Sequence, residues 1–325
     1  MTNSLVLVGD VGGTHARFAV ADLSKKPVAF DNRKELDDTS FSTFTDAVEA
    51  YFSQANVPER PKAAAIAAAG PIIAGAVTLT NRNWRLSEDD LRRAGFEQAL
   101  LINDFAALAF SATALTPSDL RAIGPELTGN TDAPITILGP GTGFGVSCLA
   151  RYRGHAVPMA TEGGHIGFSP VTPEEHDVLR ILQRRFGHAS VERILSGPGL
   201  ENLYAALAEI AGAKQPDQIE APEIQGRAER GDPLAKSTLE MFCAIFGSVA
   251  GDLALAHGAS GGVLIGGGIA AKIERFLQSG KFRQRFEDKG RLSYYVKAIP
   301  TRMILNKDAA FLGAALASRA FGAKN

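Results

Sequence analysis

The stretch LVLVGDVGGTHARFAV at residues 5–20 limits the possible folds more than any other part of this chain. An apolar strand runs into a glycine-rich turn, and a second apolar strand leaves it within a few residues. Leu5 to Val8 carry no polar interruption, which suits a buried strand, and Phe18, Ala19 and Val20 resume the pattern after Arg17. Gly12 and Gly13 can take positive φ and present no Cβ, so backbone amides could approach a phosphate. Asp10 at the strand end could hold a hydrated Mg²⁺, and Thr14 adds a hydroxyl donor. A plain tight hairpin is the competing reading of the same glycines; the acidic residue ahead of them favours a nucleotide.

A second segment repeats this layout. Residues 134–138 read as a strand, GPGTGFG follows at residues 139–145, and VSCLA at residues 146–150 reads as a strand again. Dinucleotide and Walker fingerprints open a helix, whereas both glycine turns here open strands, and the chain contains no GK[ST]. Two such hairpins could close on one triphosphate from opposite sides.

Composition excludes several classes. A chain of 325 residues with 45% hydrophobic residues can fill one large or two ordinary domains, and two lobes are expected. A formal net charge of −1 with interspersed signs gives no footprint for nucleic acid or an anionic membrane, so a small-molecule partner is expected. The N-terminal region lacks a basic segment followed by a long apolar one, and no run approaches membrane-spanning length, which predicts a soluble cytoplasmic protein. Cys148 and Cys243 are far apart, with no CxxC and no histidine pair nearby, and read as small core residues.

In chain order, a strand is weakly signalled at residues 27–30 and polar residues 31–39 read as loop. A helix capped at Ser42 follows, its face marked by Phe44, Ala47, Val48, Tyr51 and Phe52. KAAAIAAA at residues 62–69 has helical propensity but lies between Pro61 and a Gly70–Pro71 turn, so a buried strand is expected. Residues 72–79 read as a strand, Ser87 caps a short helix, and residues 99–102 form a strand ending at Asn103 and Asp104. The almost wholly apolar helix at residues 105–114 begins there. Asp104 therefore reads either as a helix cap or as a general base at the carboxyl edge of a sheet, and Asn103 beside it suits the gripping of a polyol.

Residues 116–132 read as loop. TEGGHIGF at residues 161–168 places Glu162 and His165 across two glycines, either as an incidental turn or as two groups facing one pocket. Thr172, Pro173 and Glu175 mark the start of a helix that stops at Gly187. Ser190 opens a short turn carrying Glu192, which could simply complement that turn's amino end. Gly197 to Gly199 read as a break, residues 200–210 as a helix, residues 214–222 as a surface loop, and Asp232–Pro233 open a long helix ending at Gly258. GGGIA at residues 266–270 leads from a strand into a helix. Its Gly267 suits close approach to a flat ligand such as adenine, or a tight turn. Residues 281–290 are charged and expected to be solvated, residues 299–305 form a strand, and the alanine-rich helix at residues 309–320 should pack on the first lobe.

Taken together, GDVGGTHAR, TNRNW at residues 80–84, INDF at 102–105, GPGTGFGV at 139–146, EGGH at 162–165, ERILSGPGL at 192–200 and LIGGGI at 264–269 resemble the bacterial glucokinase family. The resemblance covers essentially the whole chain. It implies an α/β, two-lobed actin-like ATPase (ribonuclease H-like) fold with a central cleft. Residues 1–113 with 306–325 would form a small domain and residues 114–305 a large one. It implies phosphoryl transfer from ATP to the 6-hydroxyl of glucose with Mg²⁺, and a homodimer.

By motif match, Asp104 would be the catalytic base, and Asn103, Glu162, His165 and Glu192 would hold sugar hydroxyls. Gly9, Asp10, Val11, Gly12, Gly13 and Thr14 would serve the ATP phosphates, while Gly141, Thr142 and Gly143 would lie between phosphates and sugar. Closure of the lobes on sugar would keep water from the phosphoryl group. His15 stands where the family commonly has Asn. The cysteine-rich zinc motif of the related repressor and sugar-kinase group is absent, so the resemblance is to the non-zinc branch. Alternatives are a kinase for another hexose on the same fold, or a sugar-sensing regulator without turnover, which would need a nucleic-acid-reading arm.

Overall fold

Strand after strand follows from short apolar runs ending at glycine, proline or capping residues, and a computed structural model of the chain shows how they assemble. The structure describes residues 4–12, 15–37, 40–79, 84–212 and 219–321. Gly13, Thr14 and residues 80–83 of the TNRNW segment lie outside the described residues, as does the side chain of His15. The chain forms two compact units: Met1–Asp119 with Ala156–Ala160 and Asn306–Asn325, and Leu120–His155 with Thr161–Leu305.

Among its described residues the first unit contains β1 (Leu5–Val11), β2 (His15–Asp22), β3 (Ala29–Asp37), α1 (Phe44–Gln54), β4 (Ala63–Ala68), β5 (Ala76–Thr78), β6 (Arg85–Ser87), α2 (Glu88–Arg93), β7 (Gln98–Asn103) and α3 (Asp104–Ser111). Its main sheet has the order β3-β2-β1-β4-β7. The hairpin β1–β2 and its neighbour β3 are antiparallel, whereas β1, β4 and β7 run parallel. The alanine run is indeed a strand: all six residues of β4 are buried, and a central parallel strand covered on both faces outweighs alanine's helical propensity.

In the second unit come β8 (Leu120–Ala122), β9 (Ile135–Pro140), β10 (Phe144–Tyr152), the ends of β11 (His155–Thr161, whose Ala156–Ala160 group with the first unit), α4 (Pro173–Phe186), α5 (Gly197–Ile210), α6 (Ala221–Glu229), α7 (Pro233–His257), β12 (Gly262–Ile265), α8 (Gly268–Lys272), α9 (Glu274–Leu277), α10 (Lys281–Glu287), α11 (Ser293–Lys297) and β13 (Thr301–Ile304). The second sheet has the order β11-β10-β9-β12-β13-β8. Both cysteines are buried and free.

α12 (Ala309–Phe321) returns to the first unit. Its apolar residues join Val6, Val8, Ala65 and Ala67 in one cluster. A Cβ on Gly313 of α12 would collide with the carbonyl oxygen of Ala107 on α3. The C-terminal helix therefore seats the helix that starts at Asp104.

Caps explain several helix ends. Ser87, Thr172 and Asp232 each accept the backbone N–H three residues on, and Gly258 closes α7 in the left-handed conformation. Several expectations are corrected. The polar residues 31–39 are not a loop over most of their length, because β3 extends to Asp37 as a charged edge strand paired only with β2. α1 is capped by Thr43, not Ser42, in a reciprocal capping box with Asp46. The strand expected at residues 72–79 is confined to Ala76–Thr78.

Residues 116–132, read as loop, include β8, which pairs with β13. Gly197 to Gly199 do not break the chain but form the first turn of α5, with Ser196 as its cap. Within the segment read as a surface loop at residues 214–222, Ala221 already belongs to α6. Residues 281–290 are not a solvated run: Phe282, Arg283 and Phe286 of α10 are buried, and the backbone of α10 lies where Gly247 and Gly251 of α7 leave room. Charge counting misses this because Arg283 hydrogen-bonds the carbonyls of Ile299 and Lys297 at 2.8 Å each.

Candidate active site

In the first unit, parallel pairing brings two motifs to one edge of the sheet. Val11 is in register with Ala68, and Ala68 with Asn103, so the end of the GDVGG strand and the Asn103–Asp104 step lie two strands apart. At about 4.8 Å per strand that separation is roughly 10 Å. Both lie at the carboxyl ends of parallel strands, where open α/β sheets bind ligands.

Asn103, not Asp104, is the cap of α3. Its Oδ1 accepts the Ala106 N–H at 3.0 Å and its Nδ2 donates to the Gly70 carbonyl at 3.2 Å. Asp104 is the first helical residue, and its Oδ1 accepts the Phe105 N–H at 2.9 Å. The cap interpretation of the pair therefore belongs to Asn103, whose bonds fix the direction in which Asp104 leaves the strand.

Asp10 is paired across the hairpin with Arg17, and the two side chains form an ion pair. Arg17 also donates to the Lys307 carbonyl at 3.2 Å and lies 5.3 Å from the ring centroid of Phe311. The sequence reading singled out Asp10 but missed Arg17. Pairing the strands across the tight glycine turn would have found it. A carboxylate at the end of β1, beside a glycine turn, suits Mg²⁺, which keeps several waters and binds through one or two carboxylates plus phosphate oxygens. Asp10 is the described residue that fits that role.

In the second unit, the turns that carry Glu162, His165 and Glu192 meet at the start of β10. A 3-10 turn spans Gly163–His165, and Glu162 Oε2 lies 4.0 Å from His165 Nε2. A Cβ on Gly164 would strike the Phe144 carbonyl oxygen, and one on Gly163 would lie 2.9 Å from Val146 Cβ. The two glycines thus let this turn rest on the start of β10. A second 3-10 turn, Val191–Arg193, carries Glu192, whose Oε2 accepts the Phe144 N–H at 2.7 Å. The two turns are tied together by Val191 N–H to the Ile166 carbonyl and Phe168 N–H to the Ala189 carbonyl, each at 2.9 Å. Glu192 is therefore more than a charge at a helix end.

Residues 141–143 form the tip of the β9–β10 hairpin. Gly141 N–H donates to the Gly143 carbonyl at 2.8 Å, and the Gly141 carbonyl accepts from Gly197 N–H at 2.9 Å. The glycine run after β12 crosses the end of β9 at close range. A Cβ on Gly139 would meet the Gly266 oxygen and one on Gly267 would meet the Pro140 oxygen, so this backbone crossing requires small residues. Gly267 also has φ of 85°. Here the tight-turn reading of Gly267 has a direct structural basis.

Comparison with known proteins agrees with the motifs. A family model described as Glucokinase matches residues 7–320. A glucokinase of Caulobacter sp. (strain K31) is 50% identical over 314 residues, covering 96% of this chain and 94% of that protein. One from Nitrobacter hamburgensis is 41% identical over 314 residues, covering 96% of each. The crystal structure of a glucokinase from an Antarctic psychrotroph has a TM-score of 0.85 at 36% identity and covers 96% of this chain and 98% of that one. These matches span the whole succession of motifs on both units, with the actin-like ATPase fold, and this chain belongs to the glucokinase family.

Proposed function

We propose that this chain transfers the γ-phosphoryl group of ATP to the 6-hydroxyl of D-glucose, with Asp104 as the base that accepts the hydroxyl proton. The observation that carries the assignment is the register of β1, β4 and β7, which puts Asp104 and the phosphate-directed turn on one sheet edge. Phosphoryl transfer depends mainly on positioning and on neutralising charge, so a fixed carboxylate beside amide-lined turns is the required equipment.

Gly9, Val11 and Gly12, together with Gly13 and Thr14, would present amides and a hydroxyl to the phosphates. Gly141, Thr142 and Gly143 would likewise present amides to phosphate, and the strand-to-helix turn at Gly267 would accommodate the adenine. Asp10 would hold Mg²⁺ through water; when bound, the ion offsets negative charge on the phosphates. Asn103 fixes the backbone beside the base, and its remaining amide valences suit a hydroxyl.

Glu162, His165 and Glu192 would each pair with a sugar hydroxyl, so that an analogue lacking it leaves a polar group unpaired. A cytoplasmic location and a homodimer belong to the same reading.

The test is Asp104→Asn. The amide keeps the size and the Phe105 contact but cannot take the proton, so kcat should fall by roughly 10² to 10⁴ while glucose affinity in a calorimetric titration stays close to that of the parent protein. Near-normal turnover would remove Asp104 from the role. A panel of hexoses in the same ADP-release assay separates glucose from other acceptors.

A further inference from the structure

We propose that Glu192 is a positioning residue for the glycine turn at residues 141–143, and that the sugar site and the phosphate-directed turn of the second unit are coupled through its carboxylate. The sugar role of Glu192 and the phosphate role of the turn rest on the function proposed above; the brace between them rests on geometry. Oε2 of Glu192 accepts the Phe144 N–H at 2.7 Å. A methyl group on Gly143 would fall on that same oxygen, so the turn is shaped around the carboxylate.

The segment bearing Glu192 holds both ends of the turn. Five residues after Glu192, Gly197 N–H donates to the Gly141 carbonyl at 2.9 Å. Between them, Ser196 Oγ donates to the Glu192 carbonyl at 2.8 Å and accepts the Gly199 N–H at 2.9 Å, which fixes the distance between the two grips. This accounts for the ERILSGPG spacing: a carboxylate for Phe144, a cap that starts α5, and a glycine whose amide reaches Gly141.

The amides of Thr142 and Gly143 take part in none of these bonds and donate to no acceptor among the described residues, so they are the donors the braced turn can offer an anion. Oε1 of Glu192 takes no part in the Phe144 bond and is the oxygen placed for a sugar hydroxyl. A ligand that orders the carboxylate through Oε1 orders the turn through Oε2, and linkage makes the effect reciprocal.

The experiment compares full-length parent protein, Glu192→Ala, Glu192→Gln and Gly143→Ala, all checked for parental thermal stability. Hydrogen exchange is followed in the peptide covering residues 139–146. Affinity for a non-hydrolysable ATP analogue with Mg²⁺ is measured by calorimetry with and without glucose. With Glu192→Ala, exchange at Phe144 should rise about tenfold, and nucleotide affinity without glucose should fall about fivefold, within the usual range of coupling between sites. The Gln carbonyl can still accept from Phe144, so Glu192→Gln should restore both while glucose affinity stays reduced. Gly143→Ala should reproduce the Ala variant.

Parental exchange and nucleotide affinity in Glu192→Ala would overturn the brace, as would a loss that Glu192→Gln does not rescue. Unchanged glucose affinity in Glu192→Ala, with exchange raised, would leave the brace standing and remove Glu192 from the sugar site.

Discussion

The two glycine hairpins are alike in sequence and differ in what steadies them. In β1–β2 the brace is local: Asp10 pairs with Arg17 directly across the hairpin. In β9–β10 it is distant: Glu192 arrives from 48 residues along the chain to hold Phe144. The backbone surroundings differ as well. A Cβ on Gly9 would meet side-chain atoms, Ile66 Cδ1 at 2.7 Å and Phe18 Cε1 at 3.2 Å, whereas one on Gly139 would meet the backbone oxygen of Gly266. Similar motifs can therefore depend on different parts of the chain, and the second hairpin has less room to adjust.

The largest expected effect separates the hairpins at those glycines. Gly139→Ala should cost more than ~3 kcal/mol in chemical denaturation, beyond ordinary overpacking, because no side-chain rotation relieves a clash with backbone. Gly9→Ala should cost only about 1 kcal/mol, since Ile66 and Phe18 can shift by tenths of an ångström. Equal costs would abolish the distinction.

Next in size is a charge test within the second unit. Glu175 is 2% exposed and accepts two hydrogen bonds from Arg285, at 2.7 and 3.2 Å, and one from Val171 N–H at 2.7 Å. Burial alone would raise its pKa, but those bonds outweigh it and the carboxyl is held below its ordinary value. A lowered folded pKa means that the contribution is present above the unfolded value of about 4.3 and is lost as pH falls through the folded one. Glu175→Gln should cost about 2–3 kcal/mol at pH 7. In urea melts taken at decreasing pH the gap should close below about pH 4. A gap constant with pH would show that packing, not charge, carries the effect.

The smallest stability effect is expected at the first hairpin's own ion pair. Asp10 and Arg17 are 20% and 35% exposed, so Arg17→Met should cost under ~1 kcal/mol. Because Asp10 is the residue proposed to face Mg²⁺, the variant should still raise the KM for MgATP several-fold and leave that for glucose unchanged. A parallel rise in both constants would mean that the hairpin as a whole has moved.

Much of this was legible from residues a few positions apart. Thr172 with Pro173, Asp232 with Pro233, and Gly258 announced their helix ends, because a cap is settled by hydrogen bonds within one turn. Flanking Pro61 and Gly70 identified β4 against its alanine propensity. Two misses share a cause: β3 reads as polar because it is an edge strand, and α10 reads as charged although Phe282 and Arg283 are buried, and the deciding partner, β2 or α7, lies elsewhere in the chain. The third is local: Gly197 to Gly199 read as a break because glycine and proline mask the cap that Ser196 supplies.

By itself the sequence determined the two strand–turn–strand units, the caps at Ser87, Thr172 and Asp232 and the residue types capable of the chemistry, since backbone sterics and one-turn hydrogen bonds depend only on near neighbours. Tertiary structure decided the register that aligns Val11, Ala68 and Asn103, the bond from Asn103 to the Gly70 carbonyl, and the meeting of the turns that carry Glu162, His165 and Glu192 at the start of β10. Those arrangements close long stretches of chain. They are held by packing and pairing between distant segments that local pattern cannot specify.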